Sequence, residues 1–250
     1  MGRIFSGIQP TGEIHLGNYV GAIRQWVKLV DRYECIFCVV DYHALTIEYS
    51  VQEMSDRIVN AALVLLAAGL PPEKCRIFVQ SHVVQHCELA WIFNCVTPIG
   101  ELERMTQFKD KSRSHRANIN MGLMGYPVLQ AADILIYKAG FVPVGEDQVQ
   151  HVELCREVAR KFNSRFGQFF PEPQVILSAA PKILGVDGQS KMSKSLNNYV
   201  AILEEKASMW DKLRTAVTDV NRVRRTDRGD PEICNIYTMH RAFSPDDTVD

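Results

Sequence analysis

Along the first 180 residues, short apolar runs alternate with stretches of helical spacing, and this alternation limits the possible folds more than any other feature. Residues 4–8, 35–40, 76–80 and 174–178 read as strands, the second of them apolar throughout. Between them, residues 15–30 carry apolar side chains at positions 16, 20, 23, 26, 27 and 30, the spacing of one helix face. Residues 51–69 form a second helix with Gly69 as its stop, and helical patterns follow at about 86–97, 127–139 and 146–166. Strands that alternate with helices in this way predict an α/β fold, a doubly wound parallel sheet of Rossmann-like type. Ligands in such sheets bind beyond the carboxyl ends of the strands, here the loops that start at residues 9, 41 and 81. Near residue 200 the character changes: a helical pattern over 203–217 gives way to Arg222, Arg224, Arg225 and Arg228.

Composition narrows the class. The 250 residues carry 28 Lys and Arg against 29 Asp and Glu, a net charge of −1, so a sequence-blind, strongly basic nucleic-acid binder is excluded. A local patch for a nucleic acid is not. A hydrophobic fraction of 46% is too high for a disordered chain. The longest apolar stretch, residues 61–70, is about half of the roughly 20 residues a membrane span needs, and the N-terminus shows no secretory signal. Seven scattered cysteines (35, 38, 75, 87, 95, 155 and 234) fit a reduced, cytoplasmic chain better than a disulfide framework. Cys35 and Cys38 have the spacing of a redox or metal pair, but they sit inside an apolar strand and no second pair follows at a metal-site spacing, so no metal site is expected.

The common phosphate-binding loops G-x-x-x-x-G-K-[ST] and G-x-G-x-x-G are absent, as is H-E-x-x-H. The first strand instead leads into Gln9-Pro10-Thr11-Gly12-Glu13-Ile14-His15-Leu16-Gly17-Asn18. Its glycines allow a ligand close to the backbone, and the following helix start offers N–H groups and a positive dipole end to an anion. His15 is then either a phosphate donor or an ordinary cap. Further on, Lys191-Met192-Ser193-Lys194-Ser195 follows a glycine-rich approach, which fits a mobile loop whose lysines meet charge on a leaving pyrophosphate. Alone it is also a plain solvated loop. Between the two, Pro127 is expected at a first helical position. Positions 126, 130, 133 and 137 fall within roughly 60° of one another on that helix, so Tyr126, Gln130, Asp133 and Tyr137 share a face. A carboxylate there needs a donor. Asp133 is therefore either a structural acid paired with a lysine, an arginine or a backbone N–H, or the acceptor for a polar group on an aromatic substrate.

The paired His-x-Gly-Asn and Lys-Met-Ser-Lys-Ser segments resemble the two signatures of class I aminoacyl-tRNA synthetases. With residues 5–12, 100–112, 126–137 and 142–148 the chain is most similar to the bacterial tryptophanyl-tRNA synthetases, in the family's order from residue 4 to about 219. That resemblance implies that tryptophan is activated with ATP and Mg²⁺ to tryptophanyl-adenylate, without a protein nucleophile, and passed to tRNA(Trp). It implies a tryptophan pocket of Phe5, Gly7, Val40, His43, Tyr126, Gln130, Asp133, Val142 and Gln148, with Asp133 accepting the indole N–H. ATP would be held by Gln9, Pro10, Thr11, Gly17, Asn18, Gly145, Glu146, Asp147, Ile183 and the 191–195 loop. His15, Lys111, Lys191 and Lys194 would act on the phosphates. Asn18 stands where the class signature has its final His, as is usual in this family, and Gln130 where many members have Met. The resemblance further implies a homodimer, a catalytic domain over 1–200, and over 201–250 the beginning of a helical anticodon-binding domain that the family continues for some 80 residues. Cys234 resembles the first ligand of an iron–sulfur cluster that only a longer chain would close. The rival readings are a tyrosyl-type synthetase, a nucleotide transferase of the same superfamily, and a synthetase-like sensor of tryptophan or nucleotide.

Overall fold

The structure, a computed structural model of the chain, describes residues 2–106, 120–178, 183–224, 226–244 and 248. It divides into two packing units: Met1–Thr11 with Trp26–Ser178, and Gly12–Gln25 with Ala179–Asp250.

The first unit is built on one five-stranded sheet. Its strands are β1 (Arg3–Ile8), β2 (Glu34–Val39), β3 (Cys75–Val79), β4 (Phe141–Val144) and β5 (Gln174–Leu177), in the order β3-β2-β1-β4-β5. Every pairing is parallel, with Ile4 opposite Cys35, Cys35 opposite Cys75 and Val142 opposite Val175. This is the doubly wound Rossmann-like sheet expected from the alternation, and its order reverses at β1, which makes the carboxyl ends of β1 and β4 the switch point where such sheets take ligands. The helices are α1 (α-helical over Leu16–Asn18 and Arg24–Leu29, with a π turn over Tyr19–Ile23), α2 (Asp41–Ala44), α3 (Val51–Ala67), α4 (Gln85–Asn94), α5 (Ile99–Glu103), α6 (Met121–Ile136) and α7 (Val149–Phe166). The chain passes from one unit to the other within α1. A core of Phe5, Cys38, Phe93, Val128, Ile134, Leu135, Val152 and Val158 lies where α4, α6 and α7 pack on the sheet.

Two sequence expectations need correction. β4 was not anticipated, because Pro143 lies inside it and proline cannot donate to a ladder. The strand is accommodated because the pairing of β1 with β4 is confined to Ile4 and Phe141, while the Ser6 hydroxyl donates to the Pro143 carbonyl at 3.2 Å. Likewise Pro127 is not a first helical residue. α6 starts at Met121, where Asn120 caps it by accepting from the Leu123 N–H at 2.9 Å, and Pro127 is buried within the helix.

The second unit holds the N-terminal part of α1, the 183–200 segment, α8 (Lys206–Arg214) and α9 (Asn235–Phe243). Its core is Val20, Ile183, Met192, Met239 and Ala242, with Leu16, Tyr19, Tyr199, Leu213 and Ile236 packed against it.

Candidate active site

In the first unit the carboxyl end of the sheet delivers side chains onto one buried carboxylate. Asp133, on α6, is 1% exposed. One oxygen, Oδ2, faces His43 Nε2 at 2.8 Å, and His43 comes from α2, directly after β2. The other, Oδ1, accepts from Gln80 Nε2 at 2.7 Å and from His86 Nδ1 at 2.6 Å. Gln80 follows β3 and His86 lies in the first turn of α4, so the segments after β2 and β3 supply the donors among the described residues. Burial alone would raise the Asp133 pKa; hydrogen bonds and electrostatic attraction from His43 and His86 outweigh it and hold the group below the usual carboxylate range. Asp133 is therefore an anion in an apolar core. The sequence called for a donor and left open a lysine, an arginine or a backbone N–H; the described donors are two histidines and an amide.

Around this centre lie several of the residues that the sequence resemblance gives to the tryptophan pocket. Tyr126 and Asp133 share the face deduced from spacing: the His43 ring that reaches Asp133 also meets Tyr126 edge-on at 6.2 Å between centroids. The Tyr126 hydroxyl, pushed up to about 12 by burial, pairs with His151 Nε2 at 2.9 Å. Phe5 on β1 stacks on Tyr137 at 5.6 Å, and Val40 closes the end of β2 against Gly7. Val142 is buried in β4 and Gln130 is half-buried on α6. Gln9, Pro10 and Thr11 follow β1, while Gly145, Glu146, Asp147 and Gln148 follow β4, at the two sides of the switch point. Gln148 there donates to Asp147 at 3.0 Å. Gln80, His86 and His151 escaped sequence analysis; the one available signal was that residue 81 opens a strand-end loop.

The second unit holds the two signature segments. His15 is buried at the N-terminal boundary of α1, and Asn18 Oδ1 accepts from its backbone N–H at 3.1 Å. The first N–H of the helix, that of Leu16, already donates to the Val200 carbonyl at 3.0 Å, so fewer free donors face an anion than the sequence implied. Burial first, then the charges of Lys194 and Lys191, push the His15 pKa down to about 4, which keeps the ring neutral at pH 7. Lys194 also lies over Gly12: a Cβ on that residue, whose φ is +132°, would stand 3.2 Å from Lys194 Cδ. Two cationic side chains thus gather beside a neutral imidazole, an arrangement that attracts a polyphosphate.

The 191–195 loop is held by a clasp of amides and one acid. Asp187 accepts from the backbone of Gln189 at 3.1 Å and from Asn198 Nδ2 at 2.8 Å, and Asn198 Oδ1 accepts from the Ser193 N–H at 2.7 Å. Ser193 and Ser195 share a hydrogen bond at 2.9 Å. Ile183 and Met192 are buried in the core, and the Met192 N–H donates to the Ile183 carbonyl at 2.9 Å. Lys111 lies outside the described residues, as do Arg225 and residues 245–247. Among the described residues no group of three metal-ligating side chains gathers, around Cys234 or elsewhere, and no helix is long and apolar enough to cross a membrane.

Comparison with known proteins places these features in context. The family model described as tRNA synthetases class I (W and Y) matches residues 2–250. A tryptophan–tRNA ligase from Deinococcus radiodurans is 53% identical over 255 residues, covering all of this chain and 77% of the relative. One from Caldanaerobacter subterraneus subsp. tengcongensis is 48% identical over 250 residues, covering 98% of this chain and 76% of the relative. The crystal structure of tryptophanyl-tRNA synthetase from Campylobacter jejuni complexed with ADP and tryptophan superposes with a TM-score of 0.91 at 35% identity, over 99% of this chain and 76% of that one.

Proposed function

The chain belongs to the class I tRNA synthetases, in the group for tryptophan and tyrosine, and from that premise we propose how its residues divide the work. The reaction is activation of tryptophan by ATP and transfer to tRNA, as in the relatives at 53% and 48% identity. The observation that carries the substrate assignment at the level of residues is Asp133, a buried anion with a described donor on each oxygen and a single one on Oδ2. A carboxylate oxygen accepts two hydrogen bonds in its plane, so Oδ2 can take the indole N–H of tryptophan. Phenylalanine has no donor for that second position on Oδ2 and is disfavoured.

We assign Phe5, Gly7, Val40, His43, Tyr126, Gln130, Val142 and Gln148 to the remainder of the tryptophan pocket, and Gln9, Pro10, Thr11, Gly17, Asn18, Gly145, Glu146, Asp147, Ile183 and the 191–195 loop to ATP. In the chemical step an oxygen of the tryptophan carboxylate bonds to the α-phosphorus while the bond from that phosphorus to the bridging oxygen of pyrophosphate breaks. Neutral His15 donates to a phosphate oxygen, and Lys191, Lys194 and Lys111 take up the charge of the leaving pyrophosphate. Mg²⁺ enters with the ATP phosphates as part of the substrate. Residues 1–200 serve as the catalytic domain and 201–250 belong to anticodon binding, where Arg222, Arg224, Arg225 and Arg228 meet tRNA locally despite the net charge of −1.

We also assign the exposed apolar groove of the first unit to the homodimer. It has a volume of about 610 Å³ and is lined by Tyr42, Leu45, Trp91, Ile99, Met121 and Leu129 among others. Tryptophan-dependent exchange of labelled pyrophosphate into ATP, with tyrosine as control, tests the whole reading. Lys194→Ala is expected to lower exchange at least tenfold while tryptophan binding by calorimetry stays within a factor of two. Exchange with tyrosine, or equal losses of exchange and binding in the variant, would overturn it.

A further inference from the structure

His86 is the most enclosed ionisable side chain around Asp133, at 0% exposure, and no part of the reaction above uses it. Its ring bridges two groups: Nδ1 meets Asp133 Oδ1 at 2.6 Å and Nε2 meets the Tyr137 hydroxyl at 2.8 Å. An ionised carboxylate can only accept, so the proton of that first bond sits on Nδ1. The Tyr137 hydroxyl, kept protonated with a pKa pushed up to about 12 by burial and by the nearby Cys38 and Asp133, shares a hydrogen bond with Nε2 and so anchors the far side of the ring. Tyr137 is itself held, stacked on Phe5 at 5.6 Å and edge-on to Phe78 at 5.6 Å. The aromatic frame therefore locks Tyr137, Tyr137 locks the imidazole, and the imidazole with Gln80 locks Oδ1.

Fixing Oδ1 has a consequence for Oδ2. A carboxylate turns about a single torsion, so two donors on one oxygen set the plane and direction of the other. We propose that His86 is the positioning residue for substrate choice, holding Asp133 so that Oδ2 stays aimed at a ring N–H donor; this rests on the assignment of Asp133 to the indole. The recognised chemistry is an aromatic amino acid whose fused ring carries an N–H at the position of the indole nitrogen. An isosteric ring with sulfur there loses the interaction, and its rejection depends on how firmly Oδ2 is held.

The test compares tryptophan with 3-benzothienylalanine, in which sulfur replaces the indole N–H, in pyrophosphate exchange by the full chain. The wild type should prefer tryptophan by about tenfold or more in kcat/KM. His86→Leu should raise KM for tryptophan about tenfold with little change in KM for ATP or for the benzothienyl analogue, which shrinks the preference. His86→Asn, whose amide nitrogen stands where Nδ1 was, should restore most of it. Tyr137→Phe keeps the imidazole and removes only the hydroxyl that anchors its Nε2, so it should give a smaller loss in the same direction; it also serves if His86→Leu does not fold. Equal KM increases for both amino acids, or an unchanged preference in His86→Leu and Tyr137→Phe, would overturn the proposal. No preference in the wild type would instead overturn the assignment of Asp133 to the indole.

Discussion

Asp133 holds a charge where water does not reach, and a buried carboxylate without donors costs several kcal/mol. Its spacing from Tyr126 and Tyr137 made the polar face of α6 legible in the sequence. Its partners were not legible, since Gln80 and His86 stand 53 and 47 positions away and reach it only because β3 ends beside β2. Asp133→Asn keeps the volume but places an amide among three donors. We expect it to raise KM for tryptophan about a hundredfold and to lower stability by roughly 2–3 kcal/mol, read by pyrophosphate exchange and by urea denaturation. His15 offers a pH signature in the other unit. Its folded pKa, about 4, lies below the ordinary 6.5, so as pH falls from 6.5 the unfolded chain binds the proton first and the folded state loses stability until about pH 4. Chemical denaturation between pH 7 and 4 should show a shallower acid loss for His15→Asn than for the wild type. Pyrophosphate, by offsetting Lys191 and Lys194, should raise the His15 titration in NMR; an unmoved resonance would place the anion elsewhere.

At the scale of elements, the strands and helices with a clean period were readable and those held by tertiary contacts were not. β1, β2 and β3 each carry a run of apolar residues and emerge within a residue of their expected limits. β4 hides behind Pro143, and the first turns of α6 behind Gly122 and Gly125, residues of poor helix propensity that the Asn120 cap and packing on α4 and α7 offset. The signature loop shows the same dependence on non-local fit. A Cβ on Gly185 would stand 2.2 Å from the Asn198 side-chain amide and 2.5 Å from the Asn198 backbone oxygen, so a side chain at 185 would push apart the clasp that fixes Asp187 and Ser193. Gly185→Ala should therefore lower pyrophosphate exchange at least tenfold and stability by about 1–3 kcal/mol, while calorimetric tryptophan binding, which depends on the first unit, is unchanged. Loss of tryptophan binding in that variant would mean that the clasp governs more than the phosphate loop.

For the whole molecule, packing joins residues 12–25 to the chain after 178, a pairing across some 150 positions that a linear pass along composition does not register. Composition did register the charge balance, and the sequence order groups Arg222, Arg224 and Arg228 where the tRNA contact is proposed. It said nothing of the surface. Trp91, Ile99 and Met121 are 71%, 64% and 79% exposed around the apolar groove of the first unit. Monomeric proteins rarely leave so many large side chains grouped in water, and a second copy related by a two-fold axis would cover the same patch on both chains at once. Trp91 is the largest exposed anchor there, and burying such a residue at the centre of an interface commonly contributes about 2 kcal/mol or more. A glutamate in its place would carry two charges into the symmetric contact, one from each copy. Sedimentation velocity at micromolar concentration should give the wild type an apparent mass near twice the 28.3 kDa of one chain, and Trp91→Glu a mass near one chain with an unaltered circular dichroism spectrum. A wild type that sediments as a single chain throughout would leave the groove to another partner.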